Sequence, residues 1–425
     1  MKPLRRASFW VFSQIGTLVL VAFHLAAADS AVLSDGRGAW TPTGDLVMPS
    51  YAGVAGLLGD GNVLLAGRAG NSDSTNSEIY EVATRKWVLT APLNDRRGGH
   101  TLTVLRDGRA LVTGGHNSTQ GILSGAEVFD ASSRGWKRVG AMGVARAKHT
   151  ATLLPDGRLL IAGGYAGTNE IIQTVKTVEK SDGSSTETKT TLRMDNQRPK
   201  GQSGGVYGDA GSELFEEIYD SADGRWKCAA AMHSPRGLHT ATLLTNGLVL
   251  VAGGMDVQDR LLKSAELFDP ATGKWTEVEA MQSARVRHTA TLLPNGKVLV
   301  VGGQDADGNP LVEAELFDPV SRKWSVAGWM LFARSFHTAT LLPAGHVLVA
   351  GGHCLNGPTR FVEIYNPASE KWSRVQPMGT ARELHAAILL KNGKVLVAGG
   401  SQNGWRHSLS SAELFEHDPL GTGAP

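Results

Sequence analysis

Short apolar runs alternate with glycine-containing turns along most of the chain, and the pattern repeats about every 49 residues. In a typical unit, the run His288–Leu293 is followed by the turn Asn295-Gly296 and by the apolar run Lys297–Val301. A third short run, Glu315–Phe317, follows a polar loop, and a fourth segment carries Trp324. Asn-Gly favours two-residue hairpin turns, and a run that is apolar throughout is typical of a strand buried on both faces. Four strands in one repeat predict the blade of an all-β propeller.

Counting the hairpin turn of each unit gives the number of blades. Asn-Gly and Asp-Gly tolerate the positive φ values that such turns need. Tryptophan residues and Gly-Gly pairs recur at the same spacing in most units. The sequence therefore predicts seven blades, whose turns are Asp60-Gly61, Asp107-Gly108, Asp156-Gly157, Asn246-Gly247, Asn295-Gly296, Ala344-Gly345 and Asn392-Gly393.

The two ends of the repeat array are complementary. The last unit continues through Glu413–Phe415 and stops before any tryptophan. Trp40, by contrast, lies before the first unit and has no unit of its own. We predict that the strand around Trp40 completes the seventh blade, because this arrangement hides two sheet edges at once. The propeller would then extend from residue 29 to 417, followed by a tail over 418–425.

These units resemble the kelch repeat. The resemblance rests on Gly-Gly, an Asp-Pro or similar turn and Trp at this spacing, together with segments such as Arg285–Leu293, Arg-x-x-His-Thr-Ala-Thr-Leu-Leu. It covers about residues 39 to 417 and is similar to the bacterial form of the repeat. It implies a seven-bladed kelch-type propeller, but kelch propellers include enzymes, adaptors and scaffolds, so the resemblance implies no particular function.

The N-terminus has the pattern of an export signal. Lys2, Arg5 and Arg6 precede an apolar stretch from Phe9 to Ala28 that ends in three alanines. This pattern predicts a signal peptide over residues 1–28, cleaved before Asp29, and a secreted or periplasmic protein. The alternative is an uncleaved anchor, since about 20 residues can just span a bilayer. After cleavage no stable membrane insertion is expected.

Charge and cysteine content narrow the possible partners. Cleavage removes three of 42 basic residues and no acidic residue, which leaves 39 basic against 40 acidic residues. A nearly neutral chain gives no reason to expect a nucleic acid partner. Cys228 and Cys354 are the two cysteines, so no disulfide framework is expected.

Arginine and histidine recur at fixed positions in six units, and a glutamate recurs in all seven. One interpretation is structural: the three side chains satisfy one another and the buried backbone where blades meet. The other is functional: the arginines line one mouth of the central channel and hold a carboxylate or a sugar acid, with those beside blade 1 the most exposed. Histidines placed one per blade lie too far apart to share a metal ion, so no metal and no cofactor are expected. The arginines are Arg97, Arg146, Arg236, Arg285, Arg334 and Arg382.

Two departures from the repeat carry further information. In blade 1, Ser50 and Gly53 stand where the other units have Arg and His. In blade 3, an insertion over about 166–212 is predicted to form a protruding hairpin from Ile171 to Leu192, which we interpret as a lid or a partner-binding arm. Tyr165 and His353, in loops expected on the same face, are further candidate ligand-binding residues.

The sequence favours a binding or scaffold module outside the cytoplasm, because no catalytic constellation is evident. Its ligand would be an unknown protein, peptide or glycan. Two kelch enzymes remain alternatives: a galactose-oxidase-like protein, which needs copper held by two Tyr and two His, and a sialic-acid mutarotase-like protein, which needs an arginine and an acid/base residue. Three of the tyrosines fall at a strand position that phenylalanine fills in other units and are predicted to be core residues: Tyr80, Tyr219 and Tyr365.

Overall fold

The computed structural model describes residues 38–67, 74–166, 216–403 and 407–417, and the backbone of 171–177 and 186–192. These residues form seven four-stranded antiparallel sheets and contain no helix. The innermost strands of successive sheets contact one another, and that of the seventh sheet contacts that of the first. The predicted seven-bladed β-propeller is therefore confirmed. No described segment forms a helix able to cross a bilayer.

Each blade is built from consecutive strands in order from the channel outward. The innermost strands are Val54–Leu57, Thr101–Val104, Thr150–Leu153, Thr240–Leu243, Thr289–Leu292, Thr338–Leu341 and Ala386–Leu389. The second strands are Val63–Ala66, Ala110–Thr113, Leu159–Ala162, Val249–Ala252, Val298–Val301, Val347–Ala350 and Val395–Ala398. The third strands are Ser77–Glu81, Ala126–Asp130, Glu217–Asp220, Ala265–Asp269, Glu313–Asp318, Val362–Asn366 and Ala412–His417. The outermost strands are Lys86–Leu89, Gly135–Val139, Arg225–Cys228, Lys274–Val278, Lys323–Trp329, Lys371–Val375 and, in blade 7, Gly38–Pro42.

The outermost strand of blade 7 comes from the opposite end of the chain. Gly38–Pro42 pairs antiparallel with Ala412–His417, with Trp40 opposite Phe415. The rings of these two residues lie 5.0 Å apart between centroids. The indole N–H of Trp40 donates to the carbonyl of Gln376 in blade 6 at 2.9 Å. The N-terminal strand thus completes the blade formed by the C-terminal strands.

The core consists of layers between neighbouring blades. The second strand of each blade is apolar at nearly every position and is fully buried, as expected for a strand covered on both faces. In each blade an aromatic residue of the third strand packs against the Trp of the fourth, as Phe317 does with Trp324 at 5.1 Å. The indole N–H of Trp324 donates to the carbonyl of Glu279 in the preceding blade at 2.7 Å. The tryptophans therefore connect blades as well as pack within them.

The Gly-Gly pair that follows the second strand in blades 2 to 7 is required by close packing. Gly114 has φ +60°, and a Cβ atom at this residue would lie 2.3 Å from the carbonyl oxygen of Arg146 in the next blade. Only glycine combines this conformation with such an approach. The pair therefore brings the loop after the second strand against the segment that enters the next blade.

Short two-stranded ladders extend some of these loops. Residues His116–Asn117 pair with Gly121–Ile122, Arg146–Ala147 with Tyr165–Ala166, and His353–Cys354 with Gly357–Pro358. In the blade 3 insertion, Ile171–Thr177 pairs with Thr186–Leu192 to form the predicted hairpin. The pairing of Arg146–Ala147 with Tyr165–Ala166 shows that the chain enters the insertion directly beside an arginine-bearing segment.

Candidate ligand-binding site at the channel mouth

The recurring arginines are buried inside the blades. In blade 6, the Nη1 group of Arg334 donates to the carbonyls of Gly351 and Phe361 at 2.9 and 2.8 Å, and Nη2 donates to Glu363 at 2.6 Å. The carboxylate of Glu363 also accepts the backbone N–H of Leu331 at 2.6 Å. Each arginine thus attaches the entering loop to the second and third strands of its own blade.

The same pair of charges recurs in all six blades that have the arginine, with N–O distances of 2.5 to 3.0 Å. All six arginine side chains are inaccessible to solvent. The expectation that Arg97 and Arg382 are the most exposed is therefore wrong, because each is as buried as the others and is held by a buried glutamate. This geometry supports the structural interpretation and leaves these guanidinium groups no surface to offer a ligand: Arg97, Arg146, Arg236, Arg285, Arg334 and Arg382.

The recurring histidines connect neighbouring blades. The Nε2 atom of His288 lies 3.0 Å from the hydroxyl of Thr240 in the preceding blade, and that of His337 lies 2.9 Å from Thr289. Burial and, to a smaller extent, the charge of Arg285 together lower the pKa of His288 to about 3. These imidazoles are therefore neutral at physiological pH and serve the junctions between blades.

One position in each arginine segment does reach solvent. In the segment Arg-x-x-His, the Arg, the next residue and the His are buried, whereas the residue between them is half-buried. This residue lies two positions before the innermost strand of its blade, as Ala52 does in blade 1, so these seven residues surround one mouth of the channel. We call these residues the mouth ring: Ala52, Gly99, Lys148, Leu238, Arg287, Phe336 and Leu384.

The backbone of the mouth ring is continuous over several blades. The N–H of Ala52 donates to the carbonyl of Leu384 at 2.7 Å, that of Leu384 to Phe336 at 3.1 Å, and that of Phe336 to Arg287 at 3.3 Å. On the other side, the N–H of Lys148 donates to the carbonyl of Gly99 at 2.8 Å. All seven residues have positive φ, between 50 and 62°. The ring therefore has one repeated conformation and seven positions at which side chains can differ.

Two of the mouth ring residues are cationic. The guanidinium of Arg287 lies 4.4 Å from the ring centre of Phe336 and donates to the side-chain oxygen of Gln304 at 2.6 Å. Burial and the nearby charge of Arg287 lower the pKa of Lys148. These two like charges, together with the apolar side chains of the ring, make the mouth a cationic and partly apolar surface.

The two loop residues predicted to bind ligand differ in accessibility. Tyr165 is 6% exposed, and its ring packs so closely against Gly237 that a Cβ atom there would lie 2.7 Å away. His353 is half-buried, and its Nδ1 lies 2.7 Å from the carboxylate of the buried Glu383. Of these two residues, only His353 therefore presents a polar group at the surface.

The insertion changes the chemistry of blade 3 through Glu216. Its buried carboxylate accepts the N–H of Gly163 at 2.7 Å, whereas the equivalent N–H of Gly302 donates to the backbone carbonyl of Glu313. Burial raises the pKa of Glu216 to about 7, although the charge of Arg146 acts in the opposite direction. The Glu216 carboxyl therefore replaces a backbone acceptor where the insertion rejoins the blade.

Sequence reasoning missed Glu216 and the mouth ring. The sequence alone did not single out the ring, because both middle residues of Arg-x-x-His differ from unit to unit and only their burial distinguishes them. Nor did it identify Glu216, whose role depends on where the insertion ends. Within the described parts of the chain, no three His, Cys, Asp or Glu side chains approach closely enough to hold a metal ion. Cys228 and Cys354 are both unpaired.

Comparison with known proteins agrees with this architecture. Residues 238–418 match the model of the KLHDC2/KLHL20/DRC7 kelch-repeats domain. A fungal alcohol oxidase of the AA5 family, solved in complex with copper, is similar in structure, with a TM-score of 0.65 and 16% identity over 92% of this chain and 79% of the oxidase chain. No match was found among curated proteins. The matched residues span blades 4 to 7, and the repeats and the seven blades of the whole propeller are those of a kelch-repeat β-propeller.

Proposed function

We propose that this protein is an exported binding module whose mouth ring recognises a ligand with a carboxylate group, either a peptide or an acidic glycan. The proposal moves the recognition site from the six buried arginines to the half-buried position two residues later. The observation that carries it is the positive φ of the mouth ring, a strained conformation in which six of the seven residues nevertheless have side chains, of differing chemistry.

Residues other than glycine are disfavoured at positive φ, and such conformations cost about 1–3 kcal/mol each. In blade 2 this position is Gly99, which adopts positive φ without strain, but in the other six blades the residue at this position has a side chain. Strained backbone of this kind is enriched at binding and catalytic sites. The strain is thus consistent with a role for these side chains at the surface rather than in the blades.

The chemistry of the mouth ring favours an anionic ligand. Lys148 and Arg287 repel each other, so a carboxylate between them would relieve the repulsion and oppose the lowering of the Lys148 pKa. Arg287 suits a carboxylate because its planar group can donate two parallel hydrogen bonds. Leu238, Phe336 and Leu384 offer apolar contact to the rest of the ligand.

Three of the tyrosines give the copper-enzyme alternative no support. It requires two tyrosines and two histidines around one metal ion, but Tyr80, Tyr219 and Tyr365 are buried against tryptophans in three different blades, as the sequence predicted. The recurring histidines are separated in the same way, one to each blade. We therefore derive no redox step for this chain.

The mutarotase-like alternative needs an acid/base group within reach of a sugar. Glu216 has a pKa near neutrality, which suits such a role, but its side chain is 1% exposed and accepts a backbone N–H. No observation therefore favours catalysis over binding.

The test is a calorimetric titration of the protein lacking residues 1–28. The panel pairs each acidic ligand with a neutral analogue: sialic acid with its methyl ester, glucuronic acid with glucose, and peptides with free and amidated C-termini. Binding that requires the carboxylate supports the proposal. Equal binding of an acid and its neutral partner, or binding of neither, contradicts it.

A further inference from the structure

Blade 1 keeps the backbone of the arginine position but lacks the arginine. The N–H of Ser50 donates to the carbonyl of Leu409 at 3.0 Å, and its carbonyl accepts the N–H of Gly400 at 2.8 Å. Arg382 makes the same two hydrogen bonds one blade earlier, with Thr359 and Gly352. The backbone at Ser50 is therefore arranged as at Arg382, and only the arginine side chain is absent.

The acceptors for that arginine are still present in blade 1. In blade 2, Arg97 donates to the carbonyls of Gly114 and Gly125 and to the carboxylate of Glu127 in the third strand. Gly114 is the first residue of the Gly-Gly pair, and its own N–H donates to the carbonyl of Gly125. The corresponding residues in blade 1 are Gly67, Asn76 and Glu78, and the N–H of Gly67 donates to the carbonyl of Asn76 at 3.0 Å, as the equivalent N–H does in every other blade except blade 3. Two carbonyls and one carboxylate thus remain without their arginine.

A small cavity occupies this place. Its walls contain the Ser50 side chain and the three residues whose equivalents hold the arginine in other blades. Two of its lining residues, Met48 and Pro49, are exposed, so the cavity reaches the surface. The residues that line it are Met48, Pro49, Ser50, Leu65, Gly67, Asn76 and Glu78.

The electrostatics of the cavity call for a cation. The Glu78 side chain is 3% exposed and accepts the N–H groups of Val47 and Met48 at 2.8 and 2.9 Å, but within the described residues no cation pairs with it. Burial raises its pKa. The hydroxyl of Ser50 is also buried and makes no hydrogen bond in the described part of the chain. A buried carboxylate without a counter-ion is costly, and a bound cation would offset that cost.

We propose that this cavity is a binding site for a guanidinium group that a ligand supplies. Five described copies of the same arrangement within the chain show what it accepts: a planar cation that donates to two carbonyls and one carboxylate. Guanidinium fits because its donors lie in one plane with fixed directions, whereas an ammonium ion presents a point charge. The site is separate from the mouth ring and takes a ligand of opposite charge, so either proposal can fail alone.

The test is the thermal unfolding midpoint of the full chain in low millimolar methylguanidinium, with methylurea as the neutral analogue of the same shape. We expect a saturable rise of the midpoint with methylguanidinium and none with methylurea. Ser50→Arg should raise the midpoint without ligand and abolish the response. Glu78→Gln, which keeps the shape of the side chain, should weaken the apparent affinity at least tenfold.

Two further arms identify the source of the guanidinium. Arginine amide represents a free small molecule, and a capped Gly-Arg-Gly peptide represents a partner protein; tighter binding of one assigns the source. The chain's own Arg68, outside the described residues, is tested with Arg68→Ala. A wild-type protein that does not respond, an equal response in Ser50→Arg, or a response only in Arg68→Ala would overturn the proposal.

Discussion

Arg334 and Glu363 form an ion pair at 2.6 Å in a place where neither side chain is exposed to solvent. Five other blades contain the same pair, and blade 1 contains only the glutamate. The pairs hold the loop that enters each blade against its second and third strands. They therefore set the position of the mouth ring two residues further along.

Removing one partner of a buried pair should cost far more than removing an exposed arginine. Arg334→Ala leaves the Glu363 carboxylate buried without its counter-ion, and we expect the free energy of unfolding to fall by about 3–5 kcal/mol. The exposed Arg225→Ala should change it by less than about 0.5 kcal/mol. Urea unfolding measures both. Adding Glu363→Gln to Arg334→Ala should recover part of the loss, and no recovery would argue against an electrostatic origin.

The strand that contains Trp40 should be essential for stability. Deleting the chain through Pro42 exposes the edge of Ala412–His417 and removes the Trp40 contacts with Phe415 and Gln376. We expect a large drop in the thermal midpoint, and a loss of about 2 kcal/mol or more for Trp40→Ala alone. Deleting only residues 29–35 is the control. Equal midpoints for both deletions would show that the strand contributes nothing.

The buried histidines should make the protein sensitive to acid. Burial lowers the pKa of His100, His239, His288 and His385 to about 3, so below about pH 6.5 the unfolded state binds protons that the folded state does not. Stability is therefore complete above pH 6.5 and falls as the pH decreases toward 3, by up to about 1.4 kcal/mol per pH unit for each histidine. Glu216 acts in the opposite direction between about pH 4.5 and 7, but as a single group.

This dependence appears in the urea midpoint measured between pH 7.5 and 5. Replacing the buried His288 with Gln should reduce the slope against pH by about one proton, whereas replacing the exposed His407 with Gln should leave it unchanged. A midpoint that does not vary with pH would mean that the folded state takes up protons as readily as the unfolded state, which contradicts neutral buried histidines.

Much of the fold could be predicted from sequence because each blade repeats a local pattern. Gly-Gly, the hairpin turns and the apolar second strands depend on neighbouring residues, so the repeat predicts them directly. Arginine, histidine and glutamate also recur, but recurrence alone does not distinguish a buried pair from an exposed ring. In blade 5, for example, Arg285 is buried, whereas Arg287, two residues later, is half-buried and reaches the surface.

The blade 1 cavity is a second feature that the sequence predicted only in part. The sequence identified Ser50 as a departure from the repeat. It did not show that the acceptors around it stay in place, because that depends on the unchanged backbone hydrogen bonds with Leu409 and Gly400.

The measurement that most directly tests the account is the affinity of the best acidic ligand for mouth ring variants. Lys148→Met and Arg287→Met should each weaken binding about tenfold or more, which corresponds to about 1.4 kcal/mol, with unchanged thermal midpoints. Lys371→Met, which removes an exposed charge on an outermost strand, should bind like the wild type. If all three variants bind the ligand equally well, the mouth ring is not the binding site.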